Sequence, residues 1–352
     1  MTRLLRSDCS EPGLRRRRRG RGFEYRDDEG RRITDPEEIE RIRELGIPPA
    51  WEDVWICPDP RGHLQATGTD AAGRKQYLYH EDWRTRRDAQ KFDDMVRFAH
   101  ALPDLRARVE ADLDGDELTR ERVLACAVRL LDRGFFRIGS EQYAVENESY
   151  GLATMGKQHV TVSSDGEMVF DYPAKSGVLQ QFGITDAMTA PIVAQLKRRR
   201  GGKPELLAYK DGRSWRDVRS EDINAYLKEA TGGDFSAKDF RTWNATLLAA
   251  VALAVAGEVA ATPTGRKRAV NRAIKEVAGY LGNTPAVCRA SYIDPRVFDA
   301  YQSGLVIAPA LAQVTESMVP GELIIHQPVV ESAVLDLLTE REESTALERV
   351  AA

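Results

Sequence analysis

"KQHVTVSSDGEMVFDYPAKSGVLQQFGI", residues 157–184, is the stretch on which the fold class turns. Three β-prone runs are joined by "SSDG" and "AKSG", both rich in residues that close hairpins. The text around this island is helical. "RDAQKFDDMVRFAHAL" sets Phe92, Met95, Val96 and Ala99 on one face, with Pro103 expected just past the helix end. "DELTRERVLACAVRLLDRG" repeats the period with Val123, Ala127, Leu130 and Leu131 and closes on Gly134, the residue type that ends helices. Helical text resumes in "DAMTAPIVAQLKRRR", "SEDINAYLKEA", "SAKDFRTWNATLLAAVALAVA" and "RKRAVNRAIKEVAGYLG". The expectation is a mainly α-helical domain carrying a three-stranded antiparallel sheet.

Ahead of it, residues 23–90 hold "FEYRD", "DVWICP", "HLQATGTD" and "KQYLYH", short strands separated by turns such as "DPRG" and "DAAG". The whole chain is therefore read as α+β. It has a flexible Arg-rich arm at 1–22, a β-rich domain at 23–90, a helical domain at 91–310 and an acidic tail at 311–352, read as a helix or partly disordered. With 352 residues, 42% hydrophobic and 30% charged, it has the profile of a soluble globular protein with two or three domains. No stretch reaches the length needed to cross a bilayer. "LLAAVALAVAG" at 247–257 reads as a buried helix, and no membrane role is expected. The basic N-terminus lacks the apolar run of a secretory signal. Cys9, Cys57, Cys126 and Cys288 lie far apart with no CxxC pair, which fits reduced thiols in the cytoplasm and no zinc site.

The net charge of −4 is unevenly placed. Residues 316–352 carry eight carboxylates against Arg341 and Arg349, so the rest of the chain is about +2. "RRRRRGR" at 15–21 is one basic cluster. The other, at 195–216, holds Lys197, Arg198, Arg199, Arg200, Lys203, Lys210, Arg213 and Arg216. A local basic face binds phosphates whatever the overall charge, although each run also reads as a solvated surface.

Several residues sit at turns and helix ends, where a core does not need them. Arg137 follows the helix-ending Gly134, Lys175 occupies a hairpin tip, Lys238 and Arg241 open an apolar helix, and Tyr292 lies in "GNTPAVCRASYIDP" (282–295). Guanidinium forks hold a phosphodiester, a phenol can attack phosphorus, and a lysine can protonate a leaving alkoxide. Spacing alone favours reading each of them as a surface or salt-bridged cation or, for Tyr292, a packed aromatic.

The segments that carry these residues resemble, in order, the type IB DNA topoisomerases, most closely their compact bacterial and poxviral branch. The resembling text is "IPPAWEDVWICPDPRGHLQATGTDAAGRKQYLYH" (47–80), "FFRIGSEQYAVENESYGLATM" (135–155), "DYPAKSG" (171–177), "KDFRTWNA" (238–245) and "LGNTPAVCRASYIDP" (281–295). The resemblance covers about residues 23–310 and implies a DNA breaking-rejoining enzyme-like fold closing as a C-shaped clamp on double-stranded DNA. It implies Arg137 and Arg241 as the phosphate clamp, Lys175 as general acid and Tyr292 as the nucleophile forming a 3′-phosphotyrosyl bond. Lys238 completes a K-x-x-R spacing. Asn283 stands where poxviral and eukaryotic relatives place a histidine; it offers N–H donors but no titratable charge.

In "GRKQY", Gln76 and Tyr77, with Arg74 and Lys75, match DNA-contacting positions, although the same text also makes a sound strand. The resemblance implies no metal and no cofactor, and His63 and His80 lack paired ligand spacing. A monomer working in the cytoplasm on nucleoid DNA is expected. A tyrosine recombinase is the nearest rival, disfavoured by Lys238 where such enzymes usually carry histidine and by the "GRKQYLYH" module. A non-catalytic DNA clamp is the other.

Overall fold

The computed structural model describes residues 3–256, 262–315, 324–341 and 343–350. It divides into two compact units, Met1–Asp93 and Asp94–Ala352.

The first unit is a five-stranded antiparallel sheet. Its strands are β1 (Leu14–Arg19), β2 (Gly22–Arg26), β3 (Glu52–Ile56), β4 (Leu64–Thr69) and β5 (Lys75–Tyr79), in the order β2-β1-β3-β4-β5. Helix α1 (Pro36–Glu44) starts on Asp35, whose carboxylate accepts from the Glu37 N–H, and buries Ile42. Ile42 joins Leu14, Val54, Ile56 and Ala66 in the core on one face of the sheet. That face is a cross-strand row, because Leu14 pairs with Ile56, Ile56 with Ala66 and Ala66 with Leu78.

The flexible arm expected at 1–22 is corrected by this sheet, since the arginine run is strand β1 itself. Arg16 turns toward the core side and donates to the carbonyls of Ile47 (3.1 Å), Pro48 (3.0 Å) and Trp51 (2.6 Å), with its guanidinium 4.2 Å above the Phe23 ring. A long aliphatic stem with a satisfied head is how an arginine occupies a half-buried strand position. The residues before β1 are also anchored. Leu5 bridges to Gly62, Ser7 Oγ donates to the Leu64 carbonyl (2.9 Å), and Trp55 Nε1 donates to that of Glu11 (3.1 Å). Gly13 passes so close to Trp55 that a Cβ there would lie 2.1 Å from Nε1, so only glycine fits.

The second unit is mainly helical. Helix α2 (Glu81–Leu113) runs through Pro103 instead of stopping before it, and the division between the units falls within this helix. Phe98, Leu102, Leu105 and Val109 continue one buried stripe past the proline, which itself faces solvent. Packing outweighs the lost hydrogen bond here.

Helix α3 (Arg120–Arg133) is capped by Thr119 and ends at Gly134, whose backbone is extended (φ −125°). Glycine is needed there for room: a Cβ would meet Phe136 at 2.7 Å and Ile184 at 2.9 Å. After α4 (Glu141–Asn147) come β6 (Val160–Val162), β7 (Glu167–Pro173) and β8 (Leu179–Thr185), the expected three-stranded antiparallel sheet in the order β6-β7-β8. Helix α5 (Thr189–Arg198) leads to a hairpin that the sequence reading did not foresee, β9 (Ala208–Asp211) with β10 (Ser214–Asp217).

The centre of this unit is α7 (Ala237–Ala256), which follows α6 (Ser220–Thr231). It buries Phe240, Trp243, Leu247, Ala250 and Leu253 along one side and Arg241, Ala245 and Ala249 along another, as an interior helix must. Around it pack α3, α6, α8 (Pro263–Leu281) and α10 (Pro295–Gln302), with α9 (Pro285–Ser291) joining the last two. No described helix is long and apolar enough to cross a membrane.

The acidic segment expected at 311–352 is helical in part, and it packs into this unit instead of trailing as a tail. Strand β11 (Leu305–Val306) pairs with β12 (Glu348–Arg349), and between them lie α11 (Ala308–Thr315) and α12 (Pro328–Leu338). Helix α12 buries Val330, Ala333, Val334, Leu337 and Leu338, an i, i+3, i+4, i+7, i+8 stripe, against α7 and α10. Its buried Glu331 shares Arg106 with Asp132, at 2.7 Å and 2.8 Å respectively.

Candidate active site

Arg137 leaves α3 on an extended segment pinned by backbone bonds from Leu152 to the Arg137 carbonyl and from Ala153 to that of Ile138, both 2.8 Å. Its Nη2 donates to the Gly282 carbonyl (2.9 Å) and to Asn283 Oδ1. Arg241, one turn into α7, is only 4% exposed. Its Nη1 donates to the Phe135 carbonyl and its Nη2 to that of Leu281 (2.9 Å).

Both guanidiniums therefore converge on the C-terminal end of α8. That end closes on Gly282 in the left-handed region (φ 59°), and the Asn283 N–H bonds back to the Ala278 carbonyl (3.0 Å). The turn leaves the carbonyls of Leu281 and Gly282 without helical partners, at the negative end of the helix dipole, where cations are favoured.

Tyr292 ends α9, which Thr284 caps and Pro285 opens. The Arg241 guanidinium carbon lies 5.2 Å from its ring centroid. Burial works to raise the phenol's pKa, but the charge of Arg241, a hydrogen bond from its guanidinium, and the charges of Arg137 and Lys238 outweigh it and hold the phenol below its ordinary value. Burial pushes the Arg241 guanidinium down, partly offset by Tyr292. Two buried N–H donors beside the guanidiniums are poorly satisfied. Arg241 Nε has no acceptor in bonding geometry, although its guanidinium also hydrogen-bonds the Tyr292 phenol, and Asn283 Nδ2 has only the weakly accepting sulfur of Cys288. Poorly satisfied buried donors beside two guanidiniums form a receptor for an anionic oxygen.

Lys238 is exposed in the first turn of α7, a start fixed by Ser236, whose N–H donates to the Asp239 carboxylate (2.8 Å). Lys175 stands apart. It is exposed on the turn between β7 and β8, beside Ser176 at φ 66°, and makes no hydrogen bond or ion pair among the described residues. The base of that hairpin does reach the site, since a Cβ on Gly282 would meet the Gln180 amide at 2.7 Å. Opposite Gln180 in register is Tyr172, which the sequence reading missed. Burial pushes the Tyr172 phenol up to about 12 against the pull of Arg241 and Arg137, so it stays a neutral hydroxyl near both. Its place three residues before Lys175 in "DYPAKSG" was the available signal.

In the first unit, Lys75, Tyr77 and Tyr79 point to the open face of β5 while Gln76 and Leu78 turn inward. Gln76 donates to Asp70 (2.8 Å), which Arg74 also holds (2.8 Å), and these contacts keep the Asp70 carboxyl at about 2. Arg74 and Gln76 are thus engaged within the unit, whereas Tyr77 is 48% exposed.

Of the cations in the basic cluster at 195–216, only Arg199 among the described residues is buried, while Arg198, Arg200, Lys203, Lys210, Arg213 and Arg216 are exposed. Arg199 is buried among the carbonyls of Leu196 (3.1 Å), Leu206 (2.8 Å) and Lys203 (3.1 Å), and Arg216 pairs with Asp211 at 2.6 Å.

Residues 80–307 match the family model described as eukaryotic DNA topoisomerase I, catalytic core, and residues 22–70 match that of the bacterial DNA topoisomerase IB N-terminal domain. DNA topoisomerase 1B of Acanthamoeba polyphaga mimivirus is 31% identical over 299 residues, 83% of this chain and 88% of the relative. DNA topoisomerase 1B of vaccinia virus (strain Copenhagen) is 23% identical over 253 residues, 71% of this chain and 75% of the relative. The cradle of Arg137, Arg241 and Asn283 around Tyr292 lies within the catalytic-core match, and the chain belongs to the type IB family of DNA topoisomerases.

Proposed function

We propose that the chain relaxes supercoiled duplex DNA by transient cleavage of one strand. The Tyr292 oxygen attacks a phosphodiester phosphorus and forms a 3′-phosphotyrosyl bond as the bond to the 5′ oxygen breaks. The phenol proton passes to solvent, and Lys175, swung in on its exposed turn, protonates the departing 5′ oxygen. Arg137 and Arg241 neutralise the non-bridging oxygens, with Arg241 Nε and Asn283 Nδ2 donating to them. The freed end rotates about the intact strand and its hydroxyl reverses the reaction. The phosphotyrosyl link conserves the energy of the phosphodiester, so ATP is not needed, and the fixed guanidinium charges do the work a metal would otherwise do. Lys75, Tyr77 and Lys238 contact the duplex, with Arg74 and Gln76 in support. The enzyme acts as a monomer in the cytoplasm, on nucleoid DNA.

The observation that carries this reading is the Tyr292 phenol held below its ordinary pKa by two guanidiniums tethered to backbone carbonyls. The test is a plasmid relaxation assay with chelator and without ATP, paired with a suicide duplex. The wild-type protein should relax supercoils of both signs and form a covalent adduct. Tyr292→Phe should form none while still binding duplex. An adduct surviving in Tyr292→Phe would sink the assignment, and strand exchange between paired sites without net relaxation would indicate a recombinase.

A further inference from the structure

Arg133, in the last turn of α3, has no part in the cleavage chemistry and no partner that accounts for its charge. Its side chain makes no hydrogen bond or ion pair among the described residues, and its Nε is buried without an acceptor. It lines a cavity of about 300 Å³ in the second unit, at the small end of the range for ligand pockets. The walls come from the end of α3, the end of β8, the residues leading into α5 and the short helical turn Ile324–His326 ahead of α12. None of Arg137, Arg241, Asn283 and Tyr292 lines it.

The other polar groups of the cavity define what it can hold. Arg129 is taken by Asp186 at 2.8 Å, and Asp186 also accepts from the Thr189 N–H at 2.9 Å. Glu167 is exposed and makes no ion pair among the described residues. The missing side chain of Gly183 gives its carboxylate room, since a Cβ there would lie 2.8 Å from Oε1. His326 is only 7% exposed. Its ring hydrogen-bonds the Asp132 backbone carbonyl, and its Nε2 has no partner in bonding geometry. Burial lowers the pKa of the imidazole to about 4, against the pull of the Asp132 carboxylate and helped by the charges of Arg133 and Arg106, so the ring is neutral. A carbonyl only accepts. The ring nitrogen facing Asp132 therefore carries the proton, and the other ring nitrogen is a lone pair.

The cavity thus joins a charged donor without a counter-ion to a neutral acceptor without a donor, and an oxyanion that keeps a proton answers both. We propose that it binds hydrogen phosphate, free or as the end of a small phosphomonoester, with anionic oxygens on the Arg133 guanidinium and a P–OH donating to His326. In the monoanion of inorganic phosphate, a second hydroxyl can donate to Glu167. Sulfate has the same shape but holds no proton at neutral pH, so it sets an acceptor oxygen against the His326 lone pair. A phosphodiester of a nucleic-acid backbone fails in the same way, which separates this site from the cradle around Tyr292. The bound anion ties Arg133, close before Arg137 in the chain, to a turn that lies beyond the catalytic-core match at 80–307.

The test is calorimetric titration of the full chain with inorganic phosphate, methyl phosphate and sulfate at neutral pH and equal ionic strength. Phosphate should bind saturably, and sulfate at least ~10-fold more weakly, the effect of one lost hydrogen bond. Tighter binding of methyl phosphate would mark a monoester as the occupant, and tighter binding of inorganic phosphate the free ion. Hydrogen exchange locates the site: phosphate should slow amide exchange at 183–189 and 324–331, not at 281–292 beside the cleavage cradle. Arg133→Gln should lower phosphate affinity by about 10- to 100-fold and abolish that protection. The comparison with sulfate and the exchange map use the wild-type chain, so a variant that fails to fold leaves the test intact. Equal affinity for sulfate, an affinity unchanged in Arg133→Gln, protection confined to 281–292, or no binding, with water alone answering Arg133 and His326, would overturn the proposal.

Discussion

The guanidiniums beside Tyr292 and those on the outward face of β1 are the same chemical group in opposite physical settings. Arg241 is almost wholly buried, with two nitrogens fixed on the carbonyls of Phe135 and Leu281. Arg15 and Arg17 are exposed and make no ion pair among the described residues. A charge held by carbonyls in a dry site does not reorganise when negative charge develops beside it, and such charges lower barriers. An exposed charge is screened over about 8 Å at physiological salt and moves with its side chain, so it adds affinity but little geometry. On the proposed function, the buried arginines would set rate, while exposed ones could contribute only salt-dependent affinity.

Arg241→Lys tests the buried half of this contrast with the largest expected effect. A lysine ammonium is a compact point charge and cannot fork between two carbonyls while presenting a third donor. Single-turnover cleavage should fall by about 100- to 1000-fold, with the salt slope of duplex binding close to wild type. A loss of slope without a loss of rate would break the distinction.

Within β1 itself, Arg16→Gln should lower stability by about 1–2 kcal/mol in urea unfolding, because it leaves the part-buried carbonyls of Ile47, Pro48 and Trp51 short of a donor. Arg17→Gln, one residue on, should change stability by less than about 0.5 kcal/mol. Equal effects from the two would mean that the strand does not separate its arginines by face.

How much of this was legible in the sequence follows from what each signal measures. The hairpin at 157–184 and the helices after it were readable because their turns and periods are local. The strand at 14–19 was hidden because a run of arginines shows no hydrophobic alternation, although Arg16 has a stem long enough to pack and a head that carbonyls can satisfy. At the acidic C-terminal end a helix was legible, but its packing was not, although Val330, Val334 and Leu337 keep a helical stripe. At the site, the resemblance singled out Arg137, Arg241, Asn283 and Tyr292, and folding brings these four together. What holds them is the end of α8, 145 residues along the chain from Arg137 in the case of Gly282. No sequence pattern displays that contact, whereas Tyr172 had a local signal in its place three residues before Lys175.

Asn283 sharpens the contrast at a smaller scale, since it touches both the Arg137 clamp and the orphaned-donor pocket. Its Oδ1 holds Arg137 while its Nδ2 is left to donate elsewhere. Asn283→Ala should slow cleavage by about tenfold, the equivalent of one lost hydrogen bond near 1.4 kcal/mol. Asn283→His should be close to wild type above neutral pH, because a neutral imidazole both accepts and donates. No loss in Asn283→Ala would remove Asn283 from the phosphate contacts.

The smallest effect concerns Lys238, which sits between the two classes, exposed like the β1 arginines yet close enough to act on the phenol. Burial opposes ionisation of Tyr292, and the surrounding cations more than cancel it, so the phenolate forms at lower pH than in an ordinary tyrosine. Single-turnover cleavage should therefore rise with pH and level off below about 10, the unperturbed tyrosine value. Lys238 is the last of the three cations in its effect on that phenol, after Arg241 and Arg137. Lys238→Ala removes a favourable charge, so the levelling point should move to higher pH by less than one unit, a shift that salt should diminish because this cation alone of the three is exposed. A profile that moved to lower pH, or a shift insensitive to salt, would mean that Lys238 acts on Tyr292 through packing and not through its charge.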